Sequence, residues 1–217
     1  MARRFLLRIC FNHKSVWIIY QGGVSEACAR GYTEIMQTYL ALIRGVNVGG
    51  KNKVSMAHLR ECLEELGFEQ VSTYINSGNI ILASDKKPAE IGKLIEKALQ
   101  DNFTLDNGLL KVHVISKTRL KNIVLNKPEG FGETPEMHHS DAIFLINIPD
   151  DKAFELFSPR EGVDKVWAGK GVIYSQRLSA ERTKSRLSKI MGSPLYKSMT
   201  IRSWNTTVRL LSLMEKK

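Results

Sequence analysis

The residue types best suited to chemistry are concentrated in one run, Arg-Gly-Val-Asn-Val-Gly-Gly-Lys-Asn-Lys at positions 44–53. Glycines allow backbone N–H groups to approach a ligand closely, and the lysines add positive charge. The run follows an apolar segment typical of a β-strand and precedes a segment with helical spacing. It therefore predicts a strand-to-helix loop suited to holding an anion, with the positive end of the helix dipole beside it.

The same loop resembles a nucleotide-binding P-loop, because Gly45, Gly50 and Lys51 match the pattern G-x-x-x-x-G-K. Asn52, however, stands where that motif needs Ser or Thr to bind magnesium, and no strand ending in a magnesium-binding Asp is evident. Two interpretations stay open: a backbone anion cradle without nucleotide hydrolysis, and a glycine-rich turn shaped only by tight packing. Catalytic residues and cofactors stay unassigned.

The elements around this loop have the order β-α-β-β-α-β. A helix capped by Ser55 and closed by Gly67 follows the first strand, and Pro88 begins the second helix. The predicted strands cover residues 38–43, 71–75, 80–83 and 110–115. This order is the ferredoxin-like unit.

The same order returns after a short helix capped by Ser116 and a loop rich in Pro and Gly. Predicted strands cover residues 142–146, 165–168, 172–175 and 199–202, and predicted helices begin at Asp150 and cover residues 179–191 and 205–214. We therefore expect an α+β protein. Its parts are ferredoxin-like units at residues 36–116 and 141–217, a connection at residues 117–140 and a C-terminal helix.

The first 35 residues do not continue this regular pattern, so we interpret them as a non-native or disordered extension with a natural start at Met36. Ala27-Cys28-Ala29 resembles a signal-peptide cleavage site, but charged and polar residues interrupt the apolar run before it. Export is the alternative to the cytoplasmic location that we expect. No segment is predicted to span a membrane.

Charge is distributed unevenly along the chain, whose formal net charge is +10. Residues 177–217 contain ten basic and two acidic residues, whereas residues 36–176 contain 17 and 18. Such asymmetry indicates a polyanionic partner or an anionic ligand, and a solvated surface is the alternative. The three cysteines lack the spacing of a disulfide framework or a zinc site, which favours a reducing compartment and no bound metal.

Nucleic-acid binding is the second function that the sequence suggests. The strand containing Phe144 and the segment containing Tyr174 partly resemble the two aromatic motifs of RNA-recognition domains. In the predicted helix over residues 179–191, Arg182, Arg186 and Lys189 share one face, where they could contact phosphates.

Single residues give weaker signals. Cys62 lies on the apolar face of its helix, so a buried structural thiol is favoured over a nucleophile. His138 and His139 lack a third metal ligand at suitable spacing, and His113 alternates with valines on a strand.

Strand direction predicts where the candidate site lies. In a split βαβ unit the first two strands run parallel, so the loop after the first strand and the turn at residues 76–79 lie at the same end of the sheet. If the two units pack across a cleft, Arg44, Asn76 and Trp204 line one groove. The candidate ligand-binding residues are Arg44, Asn47, Gly49, Gly50, Lys51, Lys53, Tyr74, Asn76, Ser77, Gly78, Asn79, Arg202, Trp204 and Asn205. The alternative is that the asparagines only stabilise the two turns.

Three blocks resemble the signature of the bacterial Domain of Unknown Function 1697 family: LIRGVNVGGKNKV at residues 42–54, TYINSGN at residues 73–79 and TIRSWNT at residues 200–206. Ser203 stands where the family usually has Asn. The resemblance extends from Met36 to about Met214, and it implies a cytoplasmic bacterial protein of two ferredoxin-like subdomains with no established activity. Three functions stay open: binding of a small anionic or phosphate-bearing ligand, nucleic-acid binding, and a scaffold or dimerisation role without a ligand.

Overall fold

A computed structural model describes residues 8–12, 15–20, 23–27, 36–106 and 110–216. The chain divides into two compact units, Met1–Ile35 and Met36–Lys217. The first contains an antiparallel sheet of β1 (Arg8–Asn12), β2 (Ser15–Tyr20) and β3 (Gly23–Ala27), in that order. These strands occupy part of the segment predicted to be a non-native or disordered extension, and its remainder lies outside the described residues. The start at Met36 stays a prediction.

The first half of the second unit contains a four-stranded antiparallel sheet in the order β5-β6-β4-β7. Its elements are β4 (Gln37–Arg44), α1 (Met56–Glu65), β5 (Glu69–Thr73), β6 (Asn79–Ser84), α2 (Pro88–Asn102) and β7 (Lys111–Ser116). The local signals act as predicted. Ser55 accepts the N–H of His58 at the start of α1, Gly67 follows the helix with φ 85°, and Pro88 is the first residue of α2.

The second half contains another four-stranded antiparallel sheet, in the order β11-β8-β10-β9. Its elements, with the helix that leads into it, are α3 (Lys117–Leu125), β8 (His138–Leu145), α4 (Asp150–Phe154), β9 (Asp164–Gly169), β10 (Val172–Leu178), β11 (Met199–Ser203) and α5 (Trp204–Glu215). The hydroxyl of Ser116 caps α3 as predicted.

The helix predicted over residues 179–191 is wrong. Three short 3₁₀ segments occupy this region instead, at Arg182–Lys184, Leu187–Gly192 and Pro194–Ser198. The carboxylate of Asp164 accepts the backbone N–H of Arg186 at 2.8 Å, a donor that an α-helix would direct to the carbonyl of Arg182. Ser185, between the first two segments, has an extended backbone. A tertiary contact with β9 therefore replaces the helical hydrogen bond.

Alternate residues of β4 point into two different hydrophobic cores. Tyr39, Ala41 and Ile43 pack with α1 and α2, whereas Leu40 and Leu42 face a central core. That central core also contains residues of the second sheet, α3 and α5. The two sheets and these helices thus share one buried layer.

The second sheet follows the same alternation. Ala142 and Phe144 face the central core, while Ile143 and Leu145 face an outer core together with Leu187 and Ile190 of the 3₁₀ segments. The unit is therefore an α+β structure of two four-stranded antiparallel sheets, whose central layer is covered on both sides.

Candidate functional site

Two loops meet at one end of the first sheet, as the strand directions predict. The side-chain amide of Asn47 donates to the carbonyls of Val54 and Asn76, both at 2.9 Å, and the N–H of Ile43 donates to the carbonyl of Gly78 at 2.8 Å. We refer to residues 45–54 and 74–79 as the joint loops.

The side chains of Asn47 and Asn52, in the first joint loop, have hydrogen-bond partners within the protein. Asn47 also accepts the N–H of Val54, while Asn52 donates to the carbonyl of Gly45 and accepts the N–H of Asp106. Both have positive φ, at 54° and 49°, where Asn is tolerated better than most residues. These contacts favour the turn-stabilising role that the sequence left open.

The exposed tip of the first joint loop contains Gly49, Gly50, Lys51 and Lys53. The two glycines have φ values of 59° and 76°, and a Cβ atom at either would contact nothing within 4 Å. Glycine thus suits both positions because of the positive φ, and not because a neighbouring atom leaves no room for a side chain. In contrast, a Cβ at Gly78 would lie 2.8 Å from a methyl carbon of Val46.

Arg202 reaches from β11 to the joint loop at residues 74–79 and is only 8% exposed. Its Nε donates to the side-chain oxygen of Asn79, whose own amide donates to the carbonyl of Tyr74 at 3.1 Å. Its other donors contact Thr200 Oγ1 and the carbonyls of Ile201, Ile43, Ser77 and Gly78. Arg202 therefore connects the second sheet to the joint loop at residues 74–79 and to the end of β4.

The surroundings of this guanidinium are unusual, because every hydrogen-bond acceptor just named is a neutral oxygen. Burial lowers the pKa of Arg202 to about 10, since a charged group loses its hydration when it is buried. The contacts satisfy donors that would otherwise be unpaired in the interior. Arg202, predicted to bind a ligand, has its donors committed to the protein itself.

Arg44 and Trp204, also predicted to line the groove, lie in different surroundings. Arg44 donates from Nε to the carbonyl of Met199 at 3.0 Å, and its guanidinium lies 5.0 Å from the ring centroid of Tyr196. Trp204 packs in the central core, with its ring 5.0 Å from that of Phe131. Asn76, in contrast, is exposed. The shared groove stays a prediction.

Trp204 and the exposed Asn205 line a cavity of about 230 Å³ together with His138 and His139. His138 contacts the hydroxyl of Thr134 at 2.7 Å, and His139 contacts Asp141. Among the described residues, no group of three or more His, Cys, Asp or Glu side chains is placed to hold a metal ion.

The aromatic residues considered for RNA stacking are buried. Phe144 and Tyr174 lie in the central core, and the hydroxyl of Tyr174 donates to the carbonyl of Ile123 at 2.7 Å. Arg182, Arg186 and Lys189 are exposed, but because the predicted α-helix is absent they do not form the expected helical face. Neither ring therefore has an exposed face on which a nucleic-acid base could stack.

A cavity of about 330 Å³, which we call the sheet-face cavity, lies on the outer side of the second sheet. The strands form its floor, and the segment after β10, which contains the 3₁₀ segments, forms its wall. The strands contribute Asp141, Ile143, Ser175, Arg177 and Ile201, and the segment after β10 contributes Arg182, Ser185, Leu187, Ser188, Ile190, Met191 and Tyr196.

The charged groups of this cavity are Asp141, Arg177 and Arg182. Asp141 lies 3.1 Å from His139 Nε2 and 3.9 Å from Arg177 Nη1. Burial raises the pKa of Asp141, and the neighbouring His139 and Arg177 oppose that shift. The Nε of Arg177 is buried and has no hydrogen-bond partner among the described residues, so this guanidinium has unused hydrogen-bonding capacity.

Sequence reasoning missed this cavity because it assigned a helix to the segment that forms its wall. A signal was nevertheless present. Asp141 and Ile143 alternate on β8, and Ser175 and Arg177 alternate on β10, so each pair shares one face of its strand. Cys62, by comparison, is buried as predicted, and burial raises its pKa.

Two antiparallel sheets around a shared central layer define the class of this molecule, an α+β protein in which no described helix is long and apolar enough to cross a membrane. The chain belongs to the family described as Protein of unknown function (DUF1697), whose profile matches residues 36–174. This match confirms the resemblance seen in the sequence.

A solved structure, described as that of the conserved bacterial protein SP0830 from Streptococcus pneumoniae, is similar to this chain. The two share 26% sequence identity with a TM-score of 0.71, over 83% of this chain and 99% of that one. Among curated proteins, none matches this chain.

Proposed function

We propose that this protein binds a small anionic ligand in the sheet-face cavity. The observation that carries the proposal is the set of polar groups lining the cavity, in which two arginines and three serines accompany a single carboxylate. Guanidinium and hydroxyl groups are the donors that carboxylates and phosphates accept from. The volume of about 330 Å³ lies at the small end of the range for ligand sites.

The joint loops are a weaker location for the same ligand. Hydrogen bonds within the protein already engage the side chains of Asn47, Asn79 and Arg202. Lys51 and Lys53 remain as exposed cations at the tip, where long-range attraction of an anion is screened by salt. The sheet-face cavity combines positive charge with a partly enclosed surface.

We also propose that both halves of the unit are ferredoxin-like and that the protein is cytoplasmic. Numbered within each half, the second sheet has the strand order 4-1-3-2, and the first has the same order read from its other edge. The scattered cysteines of the sequence support a reducing compartment.

The test compares Arg182→Gln with Lys189→Gln. Both residues are exposed cations of one segment, but only Arg182 lines the cavity. Inorganic phosphate, hexanoate and glucose 6-phosphate are titrated while the melting temperature is followed, because a ligand of the folded state must raise it. Loss of one charge-assisted hydrogen bond weakens binding about 10- to 100-fold in Arg182→Gln, and Lys189→Gln behaves as the native chain. If no probe shows this difference, the proposal is wrong.

Nucleic-acid binding is the second candidate, and the exposure of Arg182, Arg186 and Lys189 within one short segment favours it. Binding to a mixed-sequence oligonucleotide would then fall steeply with salt concentration. Lys189→Glu would weaken it as much as Arg182→Glu, because phosphate contacts along a surface do not require the cavity. If the protein did not bind the oligonucleotide at moderate salt, nucleic-acid binding would be rejected and the small-ligand proposal would remain.

A further inference from the structure

We infer that the ligand of the sheet-face cavity is a small carboxylate with an apolar body, not a phosphorylated sugar. The inference rests on the proposed function and adds the chemical class of the ligand. It follows from how polar and apolar groups are separated along the cavity floor.

Strand register produces this separation. Ile143 on β8 lies opposite Ile201 on β11, which gives one apolar row across the sheet. Asp141 is two residues from Ile143 along β8, on the same face, and lies opposite Ser175 on β10. Arg177 continues this polar side, because it is two residues beyond Ser175. The floor therefore changes from apolar to charged over a distance of about two to four strand residues, roughly 7 to 14 Å.

The wall continues the apolar side of the floor. Leu187 and Ile190 pack in the outer core with Ile143, and Tyr196 and Ile201 pack against that core. Met191 is 59% exposed at the edge of the cavity. Half of the twelve lining residues are thus apolar or aromatic. A sugar hydroxyl placed against them would lose its water without gaining a partner, whereas a methylene group gains from the same contact.

The charges indicate one anionic group of modest size. Asp141 already faces Arg177 and contacts His139, while the guanidinium of Arg182 has no hydrogen-bond or ion-pair partner among the described residues. With about 30 Å³ for each water-sized group, a volume of about 330 Å³ holds on the order of ten such groups. A carboxylate with a short alkyl chain or a single ring fits this size.

The experiment measures the affinity of the full chain for acetate, butanoate and hexanoate, with hexanol as the uncharged analogue and glucose 6-phosphate as the competing class. We expect affinity to rise up to about fourfold for each added methylene, the gain from burying one such group. Hexanol is expected to bind at least tenfold more weakly than hexanoate, because it lacks the charge that Arg182 attracts.

Three variants separate the two parts of the site. Arg182→Gln should weaken all three carboxylates by a similar factor and leave the dependence on chain length unchanged. Met191→Gln should reduce that dependence and leave acetate unaffected. Leu125→Gln is the matched control, since Leu125 is an exposed apolar residue of α3 that does not line the cavity.

The outcomes are distinguishable. Equal affinity for acetate and hexanoate overturns the inference, and so does tighter, Arg182-dependent binding of glucose 6-phosphate; in both cases anion binding itself survives. If no probe depends on Arg182, the proposed function fails, and the inference fails with it.

Discussion

Replacement of Arg202 by Met tests whether this buried arginine holds the two sheets together. The guanidinium contacts four acceptors of the first half: the side chain of Asn79 and the carbonyls of Ile43, Ser77 and Gly78. Met occupies similar space but donates no hydrogen bond. The substitution therefore removes a donor from Asn79, Ile43 and Ser77, whereas the carbonyl of Gly78 keeps the N–H of Ile43, and it also removes a charge that is costly to bury.

The magnitude follows from these contacts. Three acceptors that lose their donor, at about 1 kcal/mol each, give a loss of about 3 kcal/mol, and removal of the buried charge returns about 1 kcal/mol. The expected net loss is about 2 kcal/mol in the free energy of unfolding. For a chain of this size, that loss lowers the melting temperature by about 4 to 8 °C.

Scanning calorimetry at neutral pH measures this change, and Arg209→Met provides the matched control. Arg209 is an exposed residue of α5, so the same substitution there should shift the melting temperature by less than about 2 °C. If Arg202→Met melted within about 2 °C of the native chain, the contacts of the guanidinium would not carry the stability assigned to them.

Two further substitutions test the joint loops and the histidine on β7. Gly78→Ala should destabilise the fold by about 1 to 3 kcal/mol more than Gly67→Ala. Both glycines have positive φ, but only at Gly78 would a Cβ meet Val46 and Ile43; equal losses in chemical denaturation would contradict this. Burial lowers the pKa of His113 to about 4, so between its unfolded value and pH 4 the unfolded chain binds the proton and the folded chain does not. From pH 7 to pH 5, His113 should thus lower the free energy of unfolding by about 2 kcal/mol. The loss over this range should be smaller by the same amount in His113→Leu; if the variant lost as much stability as the native chain, His113 would not be the source.

The sequence by itself determined the helices and strands whose signals are local. Ser55 and Ser116 cap the helices that they precede, and Pro88 begins α2, because capping hydroxyls and a fixed φ act within one helical turn. The meeting of the joint loops also followed from the sequence, since the order of elements sets the direction of each strand. The apolar run of β4 indicated a strand, but only the structure shows that both of its faces are buried, and against which residues.

The tertiary structure alone decided which contacts those elements make. Arg202 bonds Asn79, 123 residues away along the chain, so no local pattern distinguishes it from an exposed ligand-binding arginine. Asp164 binds the backbone of Arg186, 22 residues away, and this contact replaces the helix that local periodicity predicted. The sheet-face cavity depends on that replacement. Side chains distant in sequence compete with local hydrogen bonds only once the sheets have assembled, which is why the pattern of residues specified the elements but not the cavity.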